Sequence, residues 1–253
     1  MRESELKRLA SREKIPLGIV EKDYVLTIVL YHISRLPYAE QMAFKGGTCI
    51  KKIYFPDARF SIDLDFSCLS NVVSRLLEDL RAELEGKEVF NINFREVSVE
   101  EERQNAIRLS IKHLDMRGFP TSIKLDLSLR ERISLKPELR PVLNVYDLPP
   151  FSILALKLEE ILAEKVRAVI ARGTPRDIYD VWFLLRKGVP FQLELVNEKL
   201  SFLKYDKSFS PELFLERMEE KKEIWERDLS MLLPEVPPFE EVRKAIIDKI
   251  LMS

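Results

Sequence analysis

Apolar and polar residues alternate along three stretches of the chain, and each alternation predicts a β-strand with one buried face. The first stretch is residues 61–68, and the others are residues 106–114 and 121–130. A period of two residues places successive side chains on opposite faces of a sheet. In the first stretch the positions expected to face the core are Ile62, Leu64, Phe66 and Cys68.

Four other stretches repeat apolar residues at the period of a helix. Residues 19–35 are apolar on most sides, which predicts a buried helix, whereas residues 71–85 carry a single apolar stripe. Residues 152–171 and 175–187 predict two further helices, and the first of these has the clearest pattern in the chain. Helix and strand patterns therefore occur together in this sequence.

Prolines at positions 137, 141, 149 and 150 interrupt these patterns and mark the predicted domain boundary. Strand and helix patterns are mixed before this segment, and only helical patterns follow it. We therefore predict an α+β fold. Residues 1–148 are expected to form an α/β domain with a mixed sheet flanked by helices, and residues 149–253 a helical domain.

The first candidate for chemistry is the glycine turn Gly46-Gly47-Thr48. It follows a short predicted strand at residues 43–45 and precedes a short predicted helix. A strand that ends in glycines at the start of a helix presents backbone N–H groups to an anion such as phosphate. A pair of glycines that only turns the chain is the alternative.

The second candidate is a set of aspartates on strand faces. Asp63 and Asp65 alternate with apolar residues on one predicted strand, and Asp126 does so on another. Residues two apart on a strand lie about 7 Å apart on the same face. Carboxylates at this spacing can converge on one or two Mg²⁺ ions. Solvated aspartates on exposed strand faces are the alternative for all three residues.

The third candidate is a charged pair in the predicted helices of the second domain. Lys165 lies in the middle of the apolar arc of residues 152–171, while Glu160 and Glu164 lie on the opposite, charged side. A lysine inside a buried stripe needs a partner or a polar cavity. Asp177 leans toward the apolar arc of the next helix, whereas Asp180 is explained by a favourable position near the helix N-terminus.

Composition narrows the class of protein without revealing its activity. The chain has 253 residues and a net charge of −1, so any basic surface for nucleic acid is local. The two cysteines, Cys49 and Cys68, lack the spacing of a metal site, which favours a reduced, cytoplasmic context. The apolar runs are too short for a membrane span.

Six stretches in order resemble the AbiEii/AbiGii-like nucleotidyltransferase toxins of abortive-infection and type IV toxin–antitoxin systems, which are similar to the polymerase-β-type superfamily. They are Glu21-Lys22-Asp23-Tyr24-Val25-Leu26, Phe44-Lys45-Gly46-Gly47-Thr48, residues 59–66, Lys124-Leu125-Asp126, residues 160–168 and Pro175-Arg176-Asp177-Ile178-Tyr179-Asp180. Residues beyond about 185 carry no matching motif.

The resemblance implies a nucleotidyltransferase-type sheet and a helical domain that closes the active-site cleft. It implies catalytic roles for Asp63, Asp65, Asp126, Lys165 and Asp177, and metal binding by Asp63, Asp65 and Asp126. The nucleotide-binding residues it implies are Gly46, Gly47, Thr48, Arg59, Ser61 and Lys165. The implied cofactor is Mg²⁺ or Mn²⁺, and the implied substrate is a nucleoside triphosphate (NTP).

The function that the resemblance implies is transfer of a nucleoside monophosphate to an acceptor hydroxyl at the 3′ end of tRNA, which blocks translation. The implied partner is an antitoxin with a winged-helix DNA-binding domain. Two alternatives stay open: the same enzyme acting on a protein or small-molecule acceptor, and a catalytically silent scaffold that binds a partner. The sequence does not specify the NTP or the oligomeric state.

Overall fold

A computed structural model describes residues 1–68, 72–129, 132–201 and 208–250. The chain folds as two compact units. The first unit comprises Met1–Ile133 and Pro137–Leu156, and the second comprises Ser134–Lys136 and Lys157–Ser253.

The first unit is built around a mixed β-sheet. Its strands are β1 (Met42–Lys45), β2 (Asp63–Cys68), β3 (Glu88–Val89), β4 (Ile92–Arg103), β5 (Ala106–Leu114), β6 (Pro120–Ser128), β7 (Glu138–Pro141) and β8 (Ser152–Ala155). Within the described residues they form one eight-stranded sheet in the order β3-β4-β5-β6-β2-β1-β8-β7. The β2–β6 and β1–β8 pairs are parallel, and the other neighbours are antiparallel. The predicted α+β fold is confirmed.

Helices flank this sheet. They are α1 (Glu3–Glu13), α2 (Leu17–Ser34), α3 (Gly46–Cys49) and α4 (Val73–Leu84), and α3 continues into a π-helical turn at Ile50–Tyr54. Helix α2 contacts β6 and β8, and α4 contacts β4. The alternation of the sequence explains this packing, because Leu64 and Phe66 of β2 and Leu125 of β6 are completely buried. None of the described helices is both long and apolar enough to span a membrane.

The second unit is helical in its described part. Its helices are α5 (Leu158–Ala171), α6 (Pro175–Arg186), α7 (Leu193–Ser201), α8 (Pro211–Glu219), α9 (Trp225–Leu229) and α10 (Phe239–Ile250), with a 3₁₀ turn at Lys222–Ile224. Helix α5 packs against α6, α7 and α8. Glu160 of α5 and Lys199 of α7 form a completely buried ion pair between two of these helices.

Two expectations about residues 152–171 are wrong. The helix begins at Leu158, and Ser152–Ala155 form β8 between β1 and β7. Ile153 and Ala155 are buried on this strand, so a short apolar run that fits a helical arc is used in the sheet instead. Glu160 was expected on the charged side of the helix, but it is completely buried.

Candidate active site

The glycine turn lies where β1 ends and α3 begins, and close packing requires both glycines. Gly46 has φ +77°, and a Cβ added there would lie 2.2 Å from Oδ2 of Asp65. A Cβ on Gly47 would lie 2.6 Å from Nη2 of Arg59. The carboxylate of β2 and a guanidinium therefore pack directly against the backbone of the turn.

Replacing Gly46 by alanine should separate the cost of backbone strain from the cost of displacing Asp65. Gly86 is the matched control, because it has φ +71° and nothing within 4 Å of an added Cβ. A positive φ costs an alanine roughly 1–2 kcal/mol, so Gly86→Ala should lose about that much stability in urea unfolding. Gly46→Ala should lose more, because its Cβ must also displace the carboxylate of Asp65. Only Gly46→Ala should also lose the nucleotide transfer that the family resemblance implies. Equal transfer rates in the two variants would contradict this account.

The other predicted nucleotide-binding residues of the first unit surround the same turn. Arg59 is 4% exposed, and its Nη1 donates to the carbonyl of Phe60 at 3.0 Å. Ser61 is buried, with its Oγ 3.3 Å from the position of a Cβ on Gly47. The hydroxyl of Thr48 donates to the carbonyl of Asp63. A cation, two hydroxyls and the carboxylate of Asp65 thus lie around the glycine turn.

A row of four charged residues crosses the sheet beside this turn. Lys45 of β1 is opposite Asp65 of β2, Asp65 is opposite Asp126 of β6, and Asp126 is opposite Arg108 of β5. Residues that are directly opposite on neighbouring strands share a face of the sheet. Two adjacent carboxylates therefore lie between two cations on one polar face, which also carries Asp63.

Arg108 holds both oxygens of Asp126. Its Nε donates to Oδ1 at 2.6 Å, and its Nη2 donates to Oδ2 at 2.9 Å. These hydrogen bonds raise the pKa of Arg108 above its usual value, although partial burial opposes the change. The assignment of Asp126 as a metal ligand stays a prediction, and its present partner is a protein cation.

Asp63 and Asp65 fit the chemistry of a divalent cation site. Both are partly exposed on the polar face, and carboxylate oxygens are the ligands that Mg²⁺ prefers. Mg²⁺ commonly uses one or two carboxylates and takes its other ligands from water and substrate phosphates. Among the described residues no group of three or more His, Cys, Asp or Glu side chains is arranged to hold a metal ion. Asp63 and Asp65 would supply two carboxylates to such a site.

Lys165 and Asp177 lie together in the second unit, within a network that also includes Asp180. The Nζ of Lys165 is 3.1 Å from Oδ1 of Asp177 and 2.8 Å from Oδ2 of Asp180. All three residues are buried. A lysine held between two carboxylates is fixed in place by two ion pairs.

Two residues on the loop between α5 and α6 complete this network. Arg172 donates from Nε and Nη2 to the two oxygens of Asp177, at 2.8 and 3.1 Å. The hydroxyl of Thr174 donates to Oδ2 of Asp177 at 2.7 Å. Burial alone raises the pKa of Asp177, but the charge of Lys165 and these hydrogen bonds outweigh it and lower the pKa.

Replacing Asp177 by asparagine should cost stability at neutral pH but not in acid. Because folding lowers the pKa of Asp177, its stabilisation is complete above the unfolded pKa of about 4 and is lost as pH falls toward the folded pKa. We expect a loss of about 2 kcal/mol at neutral pH, typical of hydrogen bonds to a charged group. The difference in free energy of unfolding between wild type and Asp177→Asn, measured in urea, should shrink below pH 4. A pH-independent difference would count against the ionised network.

A model of the AbiEii nucleotidyltransferase toxins, a type IV toxin–antitoxin family, matches residues 28–245 of the chain. The chain belongs to this family. It is therefore a nucleotidyltransferase, and the family implies an NTP substrate, a divalent metal and an antitoxin partner. All predicted site residues of this AbiEii-family protein lie within the matched range.

Solved structures support the fold of the AbiEii-family chain. The nucleotidyltransferase toxin MenT4 from Mycobacterium tuberculosis is similar, with 22% identity, a TM-score of 0.71, and coverage of 97% of this chain and 88% of its own. JHP933 from Helicobacter pylori is 19% identical, with a TM-score of 0.62 and coverage of 92% and 90%. No curated protein sequence matches the chain significantly.

The residues predicted from the sequence of this AbiEii-family protein fall into two sets. Those of the first unit lie around the glycine turn and along β2 and β6, and those of the second unit, Lys165 and Asp177, are in direct contact. Sequence reasoning missed Lys45 and Arg108, and it explained Asp180 by its helix position alone. Lys45 carried a sequence signal that was not used, because it directly follows the apolar residues Met42-Ala43-Phe44 and directly precedes Gly46.

Proposed function

We propose that this nucleotidyltransferase transfers a nucleoside monophosphate from an NTP to the 3′-terminal hydroxyl of tRNA, releasing pyrophosphate and blocking translation. The acceptor comes from the family resemblance. The observation that carries the chemistry is the position of Asp65 against Gly46, which brings the Asp63–Asp65 strand to the turn with Arg59 on its other side. Carboxylates for a metal and donors for phosphate thus occupy one small region.

The residues of the first unit then have distinct tasks. Backbone N–H groups at Gly47 and Thr48, together with Arg59, would bind the triphosphate and orient its α-phosphorus for in-line attack by the acceptor hydroxyl. Asp63 and Asp65 would hold Mg²⁺ or Mn²⁺, and the bound cation would supply positive charge at the phosphates. Ser61 would donate a hydrogen bond to the same phosphates.

Lys165 would add a fixed positive charge for the phosphates, and Asp177 would hold that charge in place. The support is the contact between them, since a buried ammonium with two carboxylate neighbours cannot rotate freely. Preorganised charges of this kind cost no reorganisation during reaction. We further propose that the reaction takes place in the cytoplasm, where tRNA is found. We also propose that a winged-helix antitoxin, encoded beside this protein, controls the enzyme.

The test is transfer of label from each α-³²P-labelled NTP to total RNA in the presence of Mg²⁺ or Mn²⁺. Asp63→Asn is the inactive variant, and Asp147→Asn is its control, because Asp147 is an exposed aspartate of the same unit. Label should appear on tRNA with wild type and with Asp147→Asn, and it should be absent with Asp63→Asn. Periodate oxidation of the 3′ ribose beforehand should abolish it.

The remaining outcomes contradict the proposal in different ways. Label on protein or on a small molecule, with none on RNA, would overturn the acceptor but keep the reaction. Absence of transfer to every acceptor, with all four NTPs and both metals, would overturn the whole proposal. Transfer that persists in Asp63→Asn would remove the aspartate pair from the mechanism.

A further inference from the structure

The bidentate contact between Arg108 and Asp126 is held by the sheet itself. Arg108 and Asp126 are directly opposite on β5 and β6, in a hairpin whose nine residue pairs run without a register shift. The guanidinium fork matches a carboxylate in shape, so two parallel hydrogen bonds fix the orientation of both groups. The two carboxylate oxygens of Asp126 both face this fork.

Charge explains why a cation is needed at this position. Asp126 is opposite Asp65 in the parallel β2–β6 pair, so two carboxylates lie side by side on one face. Adjacent carboxylates disfavour each other's ionisation unless a cation lies between or beside them. Arg108 supplies that charge at Asp126, and the charge of Asp63 also acts on Arg108. The charge of Asp126 is therefore balanced by a residue of the protein.

We propose that Arg108 takes the place of a second divalent cation at Asp126, so that this site binds a single divalent cation, through Asp63 and Asp65. The inference rests on the proposed function, because it assumes that those two aspartates bind metal. Arg108 is exposed, and within the described residues the hydrogen bonds of its side chain go only to Asp126. Its Nη1 makes neither of these hydrogen bonds and can donate to a phosphate oxygen of the substrate. A second divalent cation at this position would bind a phosphate oxygen in the same way.

Ion counting tests this inference without any measurement of activity. Free Mn²⁺ is titrated into the full chain and followed by its electron paramagnetic resonance signal, which gives the number of bound ions and their affinity. Wild type should bind one ion and Asp63→Asn none. Asp126→Asn should still bind one, with affinity changed by less than about tenfold, the smallest loss expected when a metal site loses a supporting group.

Removing the guanidinium should create the missing site. Arg108→Gln frees the carboxylate of Asp126 beside Asp65, and we expect it to bind two ions. The double variant Arg108→Gln/Asp126→Asn should return to one. Arg103→Gln is the matched control, because Arg103 is an arginine of the neighbouring strand that pairs with Glu101. It should bind one ion, and circular dichroism checks that each variant is folded.

The results separate this inference from the proposed function. Two ions in wild type, one of them lost in Asp126→Asn, would overturn the role of Arg108 and leave nucleotide transfer untouched. A wild type that binds no Mn²⁺ would also overturn the inference of a single ion. Failure of label transfer in the RNA assay would overturn the proposed function even if one ion is counted. Because Asp126→Asn keeps Arg108 in place, the test stands even if Arg108→Gln does not fold.

Discussion

Asp63→Asn and Asp65→Asn should each reduce the rate of nucleotide transfer by about 10³-fold or more. A divalent cation contributes several kcal/mol of transition-state stabilisation to charged phosphates, and each 1.36 kcal/mol corresponds to tenfold in rate. Asparagine keeps the size of aspartate but removes the charge that holds the cation. The measurement is the initial rate of label incorporation at saturating NTP and metal.

Stability distinguishes a catalytic loss from a folding defect in these variants. Both aspartates are only partly buried, so urea unfolding should give free energies close to wild type. Asp147→Asn should match wild type in both rate and stability. A loss of rate that follows a loss of stability would assign the aspartates a structural role, and an unchanged rate would remove them from the site.

Lys199→Met should destabilise the second unit by about 3–5 kcal/mol, the usual cost of leaving a buried charge without its partner. Glu160 and Lys199 are both completely buried, and the Glu160 carboxylate also accepts hydrogen bonds from the backbone of Ser134 and Leu135. Methionine preserves the apolar length of lysine while removing its charge. Urea unfolding followed by tryptophan fluorescence measures the loss, because Trp182 and Trp225 lie in this unit.

The matched control for Lys199 is the exposed Lys244 of α10, where methionine should change stability by less than about 0.5 kcal/mol. The double variant Glu160→Gln/Lys199→Met should recover part of the loss, because glutamine still accepts a hydrogen bond without burying a charge. Equal stability of Lys199→Met and wild type would show that the pair contributes no net stabilisation.

Periodicity was sufficient to predict the strands that carry the chemistry. Apolar residues alternate with Asp63 and Asp65 because one face of the strand is buried. The alternation therefore predicts that both aspartates lie on the opposite, polar face. The same argument indicated that Lys165, a lysine in an apolar arc, needs a partner or a polar cavity, but it did not identify the partner. In the structure Lys165 pairs with Asp177, which was expected to lean inward, and with Asp180, which was not singled out.

Pairing between distant segments could not be predicted in the same way. The contact of Arg108 with Asp126 depends on the register of a hairpin, and no single strand specifies it. Residues 152–155 were predicted to begin a helix, but they form β8 because β1 and β7 offer backbone partners on both sides. The burial of Glu160 likewise depends on Lys199, a residue that no local pattern connects to it.

The Arg108–Asp126 contact also bears on how the sheet assembles. Arg108 and Asp126 are 18 residues apart in a single hairpin, and Thr48 and Asp63 are 15 residues apart around the glycine turn. Short loops close at a lower entropic cost than long ones, whereas the parallel β2–β6 pair joins segments that are far apart in the chain. The β5–β6 hairpin and the segment around the glycine turn can therefore each form locally. When β2 docks beside β6, the carboxylate of Asp126 reaches Asp65 with its negative charge already balanced by Arg108.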